Sequence, residues 1–424
     1  MKKVMSLLFV IIFVFVLAGC DYSTTNTTQE TTTVDTENLI DISNADELMN
    51  IELNKSYRLI NNIDLTGIEW EPIGSYNEPF MGIFDGNGYT ISNLTISDKN
   101  SYLNGLFAYV TGEVKNLTLQ GVSIDYSSDF ITYAGAIAGI NKGDLINNEV
   151  DGSIQVLNTD SNTYAGLLAG MSSGVISDKL DDFSPNLVSS NKASGSINVS
   201  SAAIAFIGGM IGKSYNSTID GNIANTNVTV EALGDQALVY VGGLIGHNYG
   251  GILIDNGNGE FPDTDIFIEN NISISTLNIS NSKSNIFIGG FIGFNQASEL
   301  KNNFSNADIV LTGTKEDENS CIVGGFVGEN FEAKINSNVV IINSLDTADF
   351  TKEVQKDAFV GGDYSDYSSS DIYIYNPMNI DLIEIDNDIT ILTSQDITDE
   401  TFYRDYLNWD ENFYTLIIDN LDID

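Results

Sequence analysis

The apolar positions along the chain fall into short runs separated by polar turns, and one run with glycine at its centre returns throughout. It is plainest as Tyr240-Val-Gly-Gly-Leu-Ile-Gly246, with close copies at 206–212, 287–293 and 322–328. These four copies share the glycines Gly208, Gly209 and Gly212; Gly242, Gly243 and Gly246; Gly289, Gly290 and Gly293; and Gly324, Gly325 and Gly328. Weaker copies occupy 102–108, 133–139 and 164–170, and a truncated one stands at Phe359-Val-Gly-Gly-Asp363. Aligned on the last position of the phrase (108, 139, 170, 212, 246, 293, 328, 365), the eight copies lie 31, 31, 42, 34, 47, 35 and 37 residues apart. A period in this range is the mark of a solenoid.

Two further apolar runs follow each phrase, as in Asp144-Leu-Ile-Asn-Asn-Glu-Val150 and then Ser153-Ile-Gln-Val156. The second run recurs at 299–304 and 333–339, and the third at 226–230, 275–279 and 308–311. Isoleucine, valine and threonine at alternating positions favour strand over helix. The pattern therefore predicts three short strands per unit. Such a unit cannot bury its own apolar side, so neighbours must stack strand on strand with a step of about 4.8 Å. The predicted fold is all-β, a right-handed parallel β-helix with short helical caps at both ends.

Glycine inside a strand weakens it unless the backbone bends or approaches something closely. The repeat glycines are accordingly expected at a corner between two faces of the coil. Both sides of the phrase are apolar, with Tyr240 and Leu244 on one and Val241 and Ile245 on the other, so the sequence leaves the inward side open. If Tyr133, Tyr164, Phe206, Tyr240 and Phe287 stack outside, they form an exposed ladder suited to binding. If they stack as core, they only stabilise the coil.

The first 20 residues place Lys2 and Lys3 before an apolar run from Leu7 to Leu17 and end Leu17-Ala18-Gly19-Cys20. This is the order of a secretory signal, too short for a comfortable membrane span. The last four residues resemble the lipobox of bacterial lipoproteins, which implies cleavage before Cys20 and lipid attachment there. Residues 21–37 are threonine-dominated without apolar periodicity and read as a tether. Next, Ser43-Asn-Ala-Asp46 reads as a capping-box start for a short helix carrying Leu48, Met49 and Ile51. Near the other terminus Thr398-Asp-Glu400 opens a helix with Phe402, Tyr403, Tyr406 and Leu407 on one side, ending by Asn408, before Trp409, Phe413 and Tyr414. The chain thus divides into a leader (1–20), a tether (21–37), an N-terminal cap with the first coils (38–98), the repeat β-helix (99–375) and a C-terminal cap (376–424).

The stretch Tyr57-Arg-Leu-Ile-Asn-Asn-Ile-Asp-Leu65, Trp70-Glu-Pro-Ile-Gly74, 80–91 and Asn104-Gly-Leu-Phe107 resembles the opening of bacterial surface proteins that carry GLUG repeats, and the phrase is similar to the GLUG motif itself. The resemblance covers about residues 40 to 365 and implies a parallel β-helix at the cell surface, as in adhesin-like proteins and in the non-catalytic part of certain immunoglobulin A metallopeptidases. The zinc-binding HExxH helix of those peptidases is missing, because the chain's only histidine, His247, is followed by Asn248. Ala136, Leu167 and Asn104 also depart from the double-glycine pattern.

Charge narrows the partners. The formal net charge is −42, and loss of Lys2 and Lys3 with the leader brings the mature chain to about −44. Nucleic acid is excluded as a partner by repulsion. Acidic groups such as Asp255, Asp263 and Asp265, or Asp381, Glu384, Asp386 and Asp388, allow cation binding or simple solubilisation, and the lack of calcium-loop spacing favours the second. With Cys20 lipidated, Cys321 has no partner for a disulfide and reads as a buried small side chain. His247 reads as a turn residue after a repeat strand; neither it nor any other residue forms a catalytic or metal-ligating set, and no cofactor is implied. The long spacings place surface loops around 177–191 and 257–269.

The expected function is a membrane-anchored, non-enzymatic surface module that binds an extracellular glycan or a host protein, or serves structurally. The alternative is a polysaccharide lyase or hydrolase on a β-helix, working through two carboxylates at a fixed separation. The anchoring expectation is directly measurable: Cys20→Ala is expected to move the protein out of the detergent phase on partitioning, or to leave it with the mobility of the unprocessed chain. Unchanged partitioning and mobility would remove the lipoprotein reading.

Overall fold

The computed structural model describes residues 38–97, 102–174, 184–234, 237–250, 266–281, 284–313, 320–331, 333–347, 350, 354–363, 369–377, 389–407, 409 and 411–420. Nearly all of its regular structure is strand, and each strand pairs in parallel with its counterpart one coil away. The chain is a parallel β-helix. It has four faces rather than the three expected, with sheets of 8, 8, 11 and 12 strands. In one coil these are face I (Leu238–Gly242), face II (Ile245–Tyr249), face III (Phe267–Glu269) and face IV (Ile272–Asn281).

The extra face arises because the glycine phrase is two strands. It breaks at Gly243 and Leu244, where Gly243 N–H donates to Gly289 O of the next coil. None of the three glycines of this copy has a left-handed φ; what they supply is missing volume. A Cβ on Gly242 would lie 1.9 Å from Ile245 O, one on Gly243 2.2 Å from Gly290 O, and one on Gly246 2.4 Å from Ile207 N. The corner folds so tightly, against neighbouring coils, that no side chain fits.

Alternation along face I settles which side of the phrase points inward. Ile207, Val241, Ile288 and Val323 belong to the main core, whereas Phe206, Tyr240, Phe287 and Ile322 form a separate cluster outside it. On face II, Ile211, Ile245, Ile292 and Val327 complete the interior. Phe291, Phe326 and Phe359 stack inside, at centroid separations of 4.9 and 5.7 Å. That stack corrects the register of the last copy. Phe359 sits where Phe326 does, Val360 pairs with Val327, and Gly361 therefore matches Gly328 four residues earlier than expected. At the other end Leu103, not Tyr102, pairs with Tyr133.

The corner between faces III and IV is built from asparagine. A residue in the left-handed region turns the chain, as at Asn147, Asn270 and Asn302, with φ of 54°, 57° and 53°. Asparagine tolerates that region well. The next residue is a buried asparagine, and Asn148, Asn191, Asn222, Asn271, Asn303 and Asn338 form one continuous ladder. The Nδ2 of each of the first five donates to the Oδ1 of the next coil at 3.0, 2.9, 2.9, 3.0 and 3.1 Å in order. The same Oδ1 also accepts the backbone N–H of the preceding asparagine, for example Asn148 N–H to Asn191 Oδ1 at 3.0 Å.

The N-terminal helix is present at Ala45–Met49, and its Leu48 enters the main core. Its cap is Asn44, whose side chain accepts from Glu47 N–H, while the Glu47 carboxylate accepts from Ser43 N–H at 2.7 Å. The expected box thus closes on Glu47 rather than Asp46. The C-terminal segment departs further from expectation. It contains a short helix at Phe402–Tyr406 and, beyond the one expected, a second at Glu411–Asn420. Phe402, Tyr403, Trp409, Tyr414 and Ile417 pack on Ile272, Phe304, Val339 and Ile341. Those are outward positions of face IV, so the segment clasps the side of the last coils. Strands Asn186–Ser189 and Phe267–Glu269 also stand where loops were expected; residues 177–183 and 257–265 of those loops, the acidic clusters and the 1–37 segment with its leader and tether lie outside the described residues.

Gly243→Val tests the corner. Its side chain would meet Gly290 O, Ser273 Oγ and Ser275 Oγ, all within 2.4 Å of the new Cβ. Overpacking of this kind costs roughly 1–3 kcal/mol. The expected result is a lower chemical-denaturation midpoint, with hydrogen-exchange protection lost first in the coils around residue 243; unchanged protection there would overturn the corner assignment.

Candidate binding surface

The aromatic ladder exists. Tyr133, Tyr164, Phe206, Tyr240 and Phe287 stack at successive centroid separations of 4.4, 4.9, 5.3 and 5.1 Å. It is not, however, the exposed binding ladder that the sequence allowed. Phe206, Tyr240 and Phe287 are 4, 5 and 2% exposed. The reason is a column of face II side chains that closes over them, in which Lys213, His247, Phe294 and Glu329 are successive register partners. Lys213 Nζ lies 4.6 Å from the Phe206 ring centroid, a cation–π contact. His247 meets Phe206 and Tyr240 edge-on and stacks on Phe294 at 5.0 Å. The ladder is a second, smaller core.

His247 therefore lies within the strand Ile245–Tyr249, not in a turn. Burial, and secondarily the Lys213 charge, hold its imidazole well below the ordinary 6.5. Burial and then the charge of Glu329 push the Tyr240 phenol upward. Lys213 and Tyr240 both face His247, and the cluster is buried. Cys321 is buried in the strand Cys321–Gly324 and packs in the main core.

The accessible chemistry is on face IV. Four successive strands there, Glu149–Asn158, Lys192–Ser201, Ile223–Ala232 and Ile272–Asn281, pair residue by residue. Their inward residues Ile154, Ile197, Val228 and Leu277 are fully buried. On either side of that inward row, the outward positions form two central columns. One is Ser153, Ser196, Asn227 and Thr276. The other is Gln155, Asn198, Thr229 and Asn278. None is charged. Among the described residues, none of these eight side chains hydrogen-bonds within the protein, whereas the flanking columns do: Ser194 Oγ donates to Asp151 and Ser200 Oγ to Glu231, both at 3.0 Å.

An open groove of about 210 Å³ adjoins these columns, lined by Asn225, Asn227, Thr276, Asn306, Asp308 and Asn343 among others. A bulge between Ala307 and Asp308 sets its floor, and Asn343 Nδ2 donates to Asn306 Oδ1 at 2.7 Å. A second groove of about 420 Å³ follows the asparagine corner past Asn116, Asn147, Ser190, Glu149 and Lys192. Carboxylates meet elsewhere, on face III, where Glu113 and Asp144 are register partners. There Asp220 and Glu269 are also register partners, and burial followed by the Asp220 charge raises Glu269. Neither groove includes either pair.

The lipobox residues Leu17, Ala18, Gly19 and Cys20 lie outside the described residues. The neutral columns and the asparagine ladder were missed in the sequence. Stacking the third runs on one another would have found the columns, and the recurring Asn-Asn after the second run would have found the ladder.

No family model matches the chain. A segment of 163 residues is 30% identical to halomucin of Haloquadratum walsbyi, covering 33% of this chain and 2% of that protein. Another of 109 residues is 35% identical to a "putative Gly-rich membrane protein" of Evansella cellulosilytica, covering 22% of this chain and 12% of that one. The chain thus spans a small fraction of the length of the curated relatives it matches. Among solved structures, a "putative immunoglobulin A1 protease" from Bacteroides ovatus overlays with a TM-score of 0.43 at 18% identity, over 77% of this chain and 84% of that one. At that level of likeness the fold rests on the strand pairing described above.

The buried histidine gives a pH dependence with a definite sign. Above pH 6.5 it is neutral folded and unfolded, and contributes nothing; below, the unfolded chain takes up a proton that the fold refuses. Stability is then lost by about 1.4 kcal/mol per pH unit until the depressed folded value is reached. His247→Phe places beside Phe294 the residue type that already occupies this column. The expected outcome is that the stability difference between variant and parent grows as pH falls from 6.5 to 5, with no such growth above 7; parallel curves would show that His247 is protonated in the fold.

Proposed function

We propose that this protein is a surface-displayed, non-enzymatic binding module anchored to the membrane through lipid on Cys20. The observation that carries the reading is the pair of neutral columns on face IV, a regular exposed array whose polar groups are unused within the fold. What recurs in the repeat is structural: corner glycines, interior aliphatics, a buried aromatic stack and a buried amide ladder. The lipobox supplies the anchor and the 21–37 segment the reach. The GLUG resemblance and the description of one relative as a membrane protein support a place at the cell surface. Extracellular glycan or host protein is the partner class, and the net charge of −42 works against anionic ligands.

The test is an array of glycans and matrix proteins probed with the region from Asn38 onward, with released sugars assayed alongside. Saturable retention on at least one ligand, without release of reducing or unsaturated sugar, is expected. Release of sugar would favour the enzyme instead and direct attention to Asp220 and Glu269.

A further inference from the structure

We infer that the neutral columns of face IV and the groove beside the C-terminal clasp form one docking surface for extended, uncharged polysaccharide. This rests on the binding reading above and names its ligand class. The first argument is the pairing chemistry. Serine, threonine, asparagine and glutamine each both donate and accept, as sugar hydroxyls do, so either partner can satisfy the other. A cationic partner would find one carboxylate in the groove, Asp308, which already accepts from Ser344 Oγ at 2.8 Å, and an anionic partner is repelled by the net charge of −42. An uncharged, hydroxyl-rich ligand is what the surface leaves.

The second argument is the spacing. Along the solenoid axis each column repeats its polar group at about 4.8 Å, and the two columns stand about 6.6 Å apart, two residues along a strand. The axial step is close to the length of one pyranose in an extended chain, so successive sugars meet successive coils. Each hydrogen bond to such a chain contributes little. The array gains because its strands, paired on both sides, are already held in place, and ordering costs on binding are correspondingly small.

In-register stacking disfavours like charges on neighbouring strands. That alone does not empty the two columns, because isolated acids are tolerated on the flanking positions at Asp151 and Glu231. Those acids also engage the hydroxyls beside them, whereas the central hydroxyls and amides remain unpaired within the protein. The groove gives the surface an edge. The clasp packs on Ile272 and Ile341 with Ile274 against it, and the polar floor of Asn225, Asn227 and Thr276 runs from that wall into the columns.

The experiment uses the full chain in a non-glycosidic detergent, with suspensions of cellulose, chitin and an insoluble neutral glucan as probes and alginate as the anionic counterpart. Depletion from solution gives the affinity. The parent is expected to be retained by at least one neutral polysaccharide and not by alginate. Thr229→Arg, at the centre of the second column, is expected to weaken retention about tenfold; Thr229→Val, which keeps the shape and β-propensity, should weaken it severalfold, as loss of one neutral hydrogen bond does. Thermal midpoints near the parent's show that the fold is intact, and if the arginine variant unfolds the valine variant decides. No retention on any neutral polysaccharide, or retention unmoved by Thr229→Val, overturns the inference. Should the array return a protein or anionic ligand whose binding Thr229→Val leaves unchanged, this inference falls and the binding reading stands.

Discussion

The structure depends on every coil laying its backbone directly over the previous one, and the buried asparagine ladder is where that requirement is enforced. After the first rung, each ladder oxygen accepts two hydrogen bonds from the preceding coil, one from backbone and one from side chain, as at Asn222. A buried amide that loses its partner costs about 1–3 kcal/mol. Removing one rung therefore leaves groups unsatisfied on both sides. Because the ladder resets the register once per coil, the chain between rungs is free to vary. Consecutive ladder residues are 43, 31, 49, 32 and 35 positions apart, yet their hydrogen bonds differ by only 0.2 Å. Insertions leave at the corners and the coil closes regardless.

The parts of the fold readable in the sequence were those where one residue type recurs against a varied background. Glycine triplets with flanking aliphatics stand out, and they gave the solenoid and the corner. The number of faces was not readable, because the glycines of the Gly-Gly corner take no left-handed φ, as turn glycines usually do; the corner works by absent volume alone, as the 1.9 Å approach at Gly242 shows. The inward side was unreadable for another reason. Both sides of face I are buried, one in the main core and one under Lys213, His247 and Phe294, so hydrophobicity carries no contrast between them. The asparagine ladder was lost in a chain rich in asparagine, serine and threonine. Only its position, always directly after a left-handed residue, sets it apart.

The clasp follows the same rule. On face IV the first outward position changes from Glu149 and Lys192 to Ile223, Ile272, Phe304 and Val339 as the coils proceed. An apolar column on the outside of a solenoid must be covered, and Tyr403, Trp409 and Ile417 cover it. Read coil by coil, the change in that single position marks where the C-terminal segment lands. Read along the chain it is invisible, since each residue is separated from its register partner by a whole coil.

Electrostatics in a stacked fold act through these same columns. On face III, Asp41, Arg58, Asp85 and Lys115 are successive register partners whose signs alternate, and the Arg58–Asp41 pair closes at 2.6 Å. With 17 basic residues against 59 acidic, the chain cannot alternate signs everywhere. Where it fails to, as at Asp220 above Glu269, the carboxyl is raised by burial and by its neighbour. A strongly acidic solenoid thus has two ways to fill a long outward column: spend its few cations, or use neutral polar residues. Face IV takes the second course over four coils. In doing so it gains a flat, rigid surface whose hydrogen-bonding groups are neither repelled by one another nor engaged with one another. The bar on stacking like charges permits such an array without requiring it, since Asp151 and Glu231 stand in the flanking columns. Selection for binding then needs only to keep acids off the central columns over these four coils, which end at Asp125 on one side and Asp308 on the other, while the flanking columns carry the charge that keeps the molecule in solution.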